Sequence, residues 1–272
     1  MKTKLFILLL FSSLTKFAIA QYVSEADNQY KWSISAAINS VEAQMDQKLF
    51  DTWASPYVNY YDNYGNKKNK SLSFSIIPKY RITEDMLLRF EYGVTNIDLQ
   101  SNFNGIGDTL TQSQGQALGS ANTISYQTIS QKIYRYAAGV QWNFMKKKFI
   151  ETYCGALLNY LHYSDMQWSQ RIISNTTVGR GTNYTSATPG GFATGIGAFS
   201  GFNIYVHKQI SIGGEFSYSL LYYKLGGVQS GVQEHIFPTT PTLIFNWKNY
   251  NNASEGIQFS KVLPSLNLTI RF

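Results

Sequence analysis

Apolar and polar residues alternate with a period of two over most of the chain. The clearest stretch is the last one, where Leu266, Leu268, Ile270 and Phe272 alternate with Ser265, Asn267, Thr269 and Arg271. Successive side chains of a strand point to opposite faces, so this segment has one apolar and one polar face. Seven further segments carry the same signature and predict strands near 30–40, 71–82, 86–99, 125–144, 149–163, 194–206 and 210–224, with the eighth at 257–272. Trp32, Ile34 and Ile38 mark the apolar face of the first; Leu72, Phe74 and Ile76 that of the second. Leu88, Phe90 and Tyr92 mark the third, and Tyr134, Tyr136 and Trp142 the fourth.

The connections between these strands alternate strictly in length. Three are tight: Thr83 to Met86, Met145 to Lys148, and His207 to Gln209. The other four, about 41–69, 100–124, 164–192 and 225–256, are long and rich in Asn, Gln, Ser, Thr, Gly and Tyr. Tight turns at one end and long loops at the other are the rule for barrels that cross a membrane, whereas a two-layer sandwich has no need of it. The predicted fold is therefore all-β: a closed antiparallel up-and-down transmembrane β-barrel of eight strands. Thr242 to Trp247 also alternate. We read them as a hairpin within the last loop or an extension of the eighth strand; a ten-strand barrel is the alternative.

Charges obey the same register. Arg89, Glu91, Arg135, Glu151, Glu215 and Arg271 all fall on the face opposite the apolar one, as do Lys79 and Arg81. A basic residue facing lipid at mid-depth costs roughly 2–4 kcal/mol, so a membrane barrel must turn such residues inward. Small residues recur on the same face at Gly93, Ala137, Gly139, Gly155 and Gly213, leaving room for long side chains.

Composition fits this picture. Aromatic residues make up 15% of the chain and charged residues only 14%. Aromatic residues also gather near strand ends: Tyr80, Trp142, Phe144, Phe149 and Phe272 toward the turns, Tyr160, Tyr163, Tyr222 and Tyr223 toward the loops. That is the placement of interfacial girdles. The first twenty residues read as a cleaved signal peptide: Lys2 and Lys4, an apolar run from Leu5 to Phe11, then Ala18-Ile19-Ala20 before Gln21. Residues 21–272 then form one barrel domain. Of the formal charge of +7, three units come from Lys2, Lys4 and Lys16, leaving +4 spread along the remainder. A nucleic-acid partner needs a concentrated basic patch; the only dense runs, Lys67-Lys68 with Lys70 and Lys146 to Lys148, read as solvated turns and loops. The single cysteine, Cys154, lies within a strand and forms no disulfide framework.

The chain resembles the small outer-membrane barrels of the OmpA/OmpX-like superfamily, above all the barrel domains common in Bacteroidota. The residues that carry the resemblance are Ala18-Ile19-Ala20-Gln21, the turn from Ile82 to Arg89, and the terminal Ser265 to Phe272. The resemblance implies an outer-membrane address. It also makes Leu266, Leu268, Ile270 and Phe272 an assembly signal for the barrel-assembly machinery, because a last strand ending in Phe resembles that signal. It transfers no catalytic motif.

Candidate chemistry is sparse. His162 begins His162-Tyr163-Ser164-Asp165, whose types echo a hydrolytic triad, but a triad is defined by spatial roles, not by adjacency. His235 beside Glu234 reads as a loop pair, and His207 as a turn residue. We expect no enzyme activity, no cofactor and no metal. The recurrent charged constellation is the lumenal set named above, read as a network that fills an interior only just wide enough for its own side chains. The loops, with Trp53, Tyr57, Tyr60, Tyr61 and Tyr64 in the first and Trp168 in the third, are the other candidate surface. The expected function is non-enzymatic: a barrel anchored in outer-membrane lipid, with loops serving interaction with a protein partner or envelope integrity. The alternatives are a narrow, porin-like channel for ions or small solutes, and then a lipid-modifying enzyme using His162.

Overall fold

A computed structural model describes residues 30–40, 66–106, 122–146, 149–174, 180–237 and 241–272. The described segments form twelve strands: β1 (Trp32–Asn39), β2 (Asn66–Asn69), β3 (Leu72–Arg81), β4 (Met86–Ile106), β5 (Asn122–Lys146), β6 (Ile150–Tyr163), β7 (Met166–Ser174), β8 (Arg180–Thr188), β9 (Gly191–His207), β10 (Ile210–Ile236), β11 (Leu243–Phe259) and β12 (Leu263–Arg271). Eight of them close a ring in the order β1–β3–β4–β5–β6–β9–β10–β12, and β12 returns to β1 through seven antiparallel pairs from Ser33↔Arg271 to Asn39↔Ser265. Closure leaves this ring without an edge, which is what a strand assembly needs where no water can satisfy its backbone.

The extra strands are not extra staves. β7 continues β6 past Ser164-Asp165 and pairs with the upper part of β5. β8 leads through Pro189-Gly190 into β9, and β11 leads through 260–262 into β12. The Thr242–Trp247 segment is thus an extension of the eighth stave, paired along β10. The long connections are correspondingly shorter than their composition implies: residues 100–106, 122–124, 166–174, 180–188, 225–236 and 243–256 are strand. The reason is physical. Beyond the hydrocarbon neither face of a strand meets lipid, so apolar alternation disappears while backbone pairing persists. Following neighbours around the ring from Arg271 through Ser33, Lys79, Arg89, Gly139, Leu157 and Gly197 to Ser219 climbs roughly ten residues, the stagger of a barrel tilted about 40°.

The polarity is inverted relative to a water-soluble protein. Ile34, Ile38, Phe74, Ile76, Phe90, Leu158, Ile196, Phe216, Leu266, Leu268 and Ile270 point outward and are exposed. Ser33, Ser35, Ser73, Ser75, Thr95, Asn267 and Thr269 are buried inside. Hydroxyl pairs knit the inner face, Ser35 with Thr269 at 2.7 Å and Ser73 with Thr95 at 2.8 Å. Outward aromatics form two rims. Trp32 lies against Tyr80 (4.8 Å) at the turn end. At the other end a ladder runs Tyr92, Tyr136, Tyr160, Phe192 and Tyr222, with centroids 5.4 to 6.3 Å apart.

Two of the aromatics expected in that rim are elsewhere. Tyr163 is buried in the lumen, and Tyr223 packs against the same interior cluster. Each sits an odd number of residues from an outward neighbour, Tyr160 or Tyr222, and the period of two turns it inward.

Candidate functional site: the lumenal network

The ring brings all six expected lumenal charges inside. Arg89, Glu91, Arg135, Glu151, Glu215 and Arg271 are each at most 8% exposed. They do not form one chain of ion pairs. They form two clusters, each bridging the lumen between strands that are not neighbours.

The central cluster is built on Arg89 of β4. Its guanidinium grips Glu215 of β10 through two bonds, Nη1 to Oε2 at 2.5 Å and Nη2 to Oε1 at 2.7 Å, and Nη2 also donates to Glu91 at 3.2 Å. Two parallel N–H···O bonds to one carboxylate are the strongest geometry available to such a pair. Arg135 approaches Glu91 at 3.5 Å and donates to Asn159 at 3.2 Å. The Tyr153 hydroxyl donates to Glu215 at 3.1 Å. The second cluster lies toward the turn end. Glu151 of β6 accepts from Arg271 of β12 at 2.8 Å, from Asn143 at 2.6 Å, from Asn203 at 3.2 Å and from the Tyr205 hydroxyl. Four donors on one carboxylate satisfy it fully, which is the condition for burying a charge.

Aromatic rings complete both clusters. The Arg89 guanidinium lies 4.3 Å from the Phe199 ring centroid, and that of Arg271 lies 4.3 Å from Tyr205. Of the inward glycines, Gly93 lies against Ser75 and Arg135, while Gly155 and Gly201 make room for aromatic rings. A Cβ on Gly155 would stand 2.3 Å from the Phe199 ring, and one on Gly201 would stand 2.6 Å from the Tyr153 hydroxyl. Lys79 is also interior, 3% exposed, with its ammonium 5.4 Å from the Tyr153 ring centroid.

Above the ions apolar clusters share the lumen with buried Gln127, Gln131, Gln170 and Thr188. Ile97, Ile133, Tyr163, Ala193, Leu221 and Leu225 meet in one cluster, with Leu99, Leu161 and Tyr223 packed on it. Ile129, Met166 and Trp168 form a second cluster, with Tyr184 beside it. Trp168 is therefore an interior residue of β7 and not an exposed loop aromatic. Strand alternation predicts the polar face inward, and these clusters depart from it. The doublets Ile76-Ile77, Leu87-Leu88, Leu157-Leu158 and Leu220-Leu221 must each turn one apolar member inward, and Ile77, Leu87, Leu157 and Leu221 are those members. Of these only Leu221 belongs to the clusters above the ions, and Leu157 packs with Tyr153 and Phe199. A cavity of about 20 Å³ remains at the turn end beside Lys79, Glu151 and Arg271, room for a single water.

The remaining candidate residues have local structural roles. The His162 ring stacks outward on Tyr134 at 6.1 Å. Ser164 Oγ accepts from the Lys132 N–H at 3.0 Å, and Asp165 Oδ1 accepts from the Gly190 N–H at 3.0 Å, so both hold the bulge where β6 passes into β7. His207 accepts from the Gln209 N–H in its turn. His235 interacts with Gln233 and Thr182, whereas Glu234 accepts from Asn183, so the pair points to opposite faces of β10. No group of three metal-ligating side chains occurs among the described residues. Trp53, Tyr57, Tyr60, Tyr61 and Tyr64 lie outside the described residues.

Fold and interior together define the class: a closed eight-stranded antiparallel barrel, apolar outside and filled by ion pairs within. No protein-family model and no curated protein sequence matches this chain. Among solved structures the chain is similar to neisserial surface protein A (13% identity, 89% of this chain and 96% of that one, TM-score 0.34). It is also similar to CarO2 of Acinetobacter baumannii (6% identity, 76% and 96%, TM-score 0.32) and to the outer membrane protease OmpT of Escherichia coli (10% identity, 89% and 94%, TM-score 0.28). Likeness at this level transfers no residue roles.

Proposed function

We propose that this chain is an exported integral outer-membrane protein. Its barrel is an anchor, and the wall that rises from it is the part that interacts. The observation that carries this reading is the filled interior. Ion pairs cross the lumen in two clusters, and apolar layers lie over them, so the barrel spends its interior on its own cohesion. The outward belt of Leu, Ile and Phe supports a hydrocarbon setting. The two aromatic rims support a bilayer between them. We read residues 1–20 as the export signal and Leu266, Leu268, Ile270 and Phe272 as the assembly signal. We read the protein as non-enzymatic because the side chains of the triad-like His162, Ser164 and Asp165 are engaged in stacking and backbone contacts.

The competing channel reading is tested by reconstitution in planar bilayers. The anchor reading predicts no stable unit conductance from the purified protein, with or without Glu91→Gln. A reproducible unit conductance that shifts with that substitution would replace the anchor by a channel.

A further inference from the structure

Among the described residues the lumen buries one more cation than acid. Arg89 meets Glu215, Arg135 meets Glu91 and Arg271 meets Glu151. Lys79 is 3% exposed and has no carboxylate within 4 Å among the described residues.

Strand register explains the surplus. Arg271, Ser33, Lys79 and Arg89 are successive partners across β12, β1, β3 and β4. All four are buried inside, so one row holds three cations and no acid. Like charges set opposite each other in a sheet repel. The outer two reach across the lumen, Arg89 to Glu215 on β10 and Arg271 to Glu151 on β6. Lys79 lies between them with the Tyr153 ring centroid 5.4 Å from its ammonium. An ammonium taken out of water without a counter-charge is costly.

This ammonium belongs to a residue that lines the cavity at the turn end. The space, about 20 Å³, is bordered by Lys79, Ser33 and Arg271, with Lys31 and Arg81. Glu151 is the one acid on its border, and that carboxylate already accepts from Arg271, Asn143, Asn203 and Tyr205. The cavity has room for one water or one monatomic ion and none for phosphate or sulfate. A water leaves the charge of Lys79 unanswered, whereas a monovalent anion cancels it.

We propose that this cavity binds one halide ion of chloride's size, held by the Lys79 ammonium and the Ser33 hydroxyl. The ion sits where β12 closes the ring onto β1, so it ties β3 into the seam. An anion that binds the folded barrel and not the unfolded chain makes stability rise with its concentration. The site does not depend on whether the barrel is an anchor or a channel.

The test is urea unfolding of the folded protein in nonionic detergent micelles, in chloride–gluconate mixtures of constant ionic strength. Above the dissociation constant, a tenfold rise in chloride should lower the unfolding constant by about tenfold. Bromide should replace chloride, and gluconate, too large for the cavity, should not. Lys79→Met should abolish the dependence. If that variant does not fold, anomalous scattering from bromide in crystals of the unaltered protein should peak within hydrogen-bond distance of Lys79 Nζ. Three results would overturn the site. The first is equal stability in the two salts, which would give the cavity to a water donating to the unpartnered Gln141 and Asn203 carbonyls, or give Lys79 to a carboxylate such as Asp27. The second is a chloride effect that survives Lys79→Met. The third is bromide scattering only elsewhere. A unit conductance would remove the anchor reading and leave this site standing.

Discussion

Glu151→Ala is expected to lower the stability of the folded barrel by about 3–5 kcal/mol, because it removes one partner of a buried, hydrogen-bonded ion pair. Arg271 loses its carboxylate, and Asn143, Asn203 and Tyr205 lose their acceptor in the same step. Each orphaned buried donor carries its own penalty, so the loss should fall at the upper end of that range. The position matters too. Arg271 sits on β12, the strand that closes the ring onto β1, and Glu151 holds it from across the lumen. Urea unfolding in micelles or vesicles measures the loss, with the heat-dependent shift on gels as a second readout. Glu255→Gln is the control: its pair with Lys224 at 3.8 Å is on the exposed surface, and its removal should change stability by less than about 1 kcal/mol. Equal losses for the two variants would remove Glu151 from its assigned role.

The second large effect is a coupling. Arg89→Met leaves Glu215 with the neutral Tyr153 hydroxyl in place of its guanidinium, and Glu215→Leu leaves Arg89 with the longer contact to Glu91 and the Phe199 ring. Each single change should cost about 3–5 kcal/mol. The double variant replaces the pair by two apolar side chains beside Phe199, and it should cost far less than the sum of the two, with a coupling above about 2 kcal/mol. Additive losses would show that the two-bond grip between β4 and β10 is not the energetic unit its geometry implies.

The sequence carried the barrel because lipid imposes a strict period of two. Each outward Leu, Ile or Phe faces hydrocarbon, each charge must turn inward, and no register that slips by one residue satisfies both. That is why all six charges expected inside are found there. Which charge meets which was not legible. Arg89 and Glu215 are far apart in sequence and lie on strands that do not pair, so their contact depends on the stagger of the closed ring. The apolar layers were hidden for a related reason. Leu221 sits beside outward Leu220, and in such a doublet the alternation does not say which member faces inward. The strands above the belt are not legible in the sequence because Gln, Ser, Thr and Tyr on both faces leave no hydrophobic period. Strand pairing there comes from the backbone and from the β-branched and aromatic residues among them.

The central claim is that a closed ring faces hydrocarbon outside and its own polar side chains within. The native Cys154, exposed on the outward face of β6 beside Trp142, tests it without any substitution. A spin label on Cys154 of the protein in bilayers should collide readily with oxygen and rarely with a water-soluble nickel chelate. A label on Cys154 that meets the nickel chelate as freely as an exposed aqueous site, or that meets neither reagent, would place this face in water or in a packed core and contradict the account.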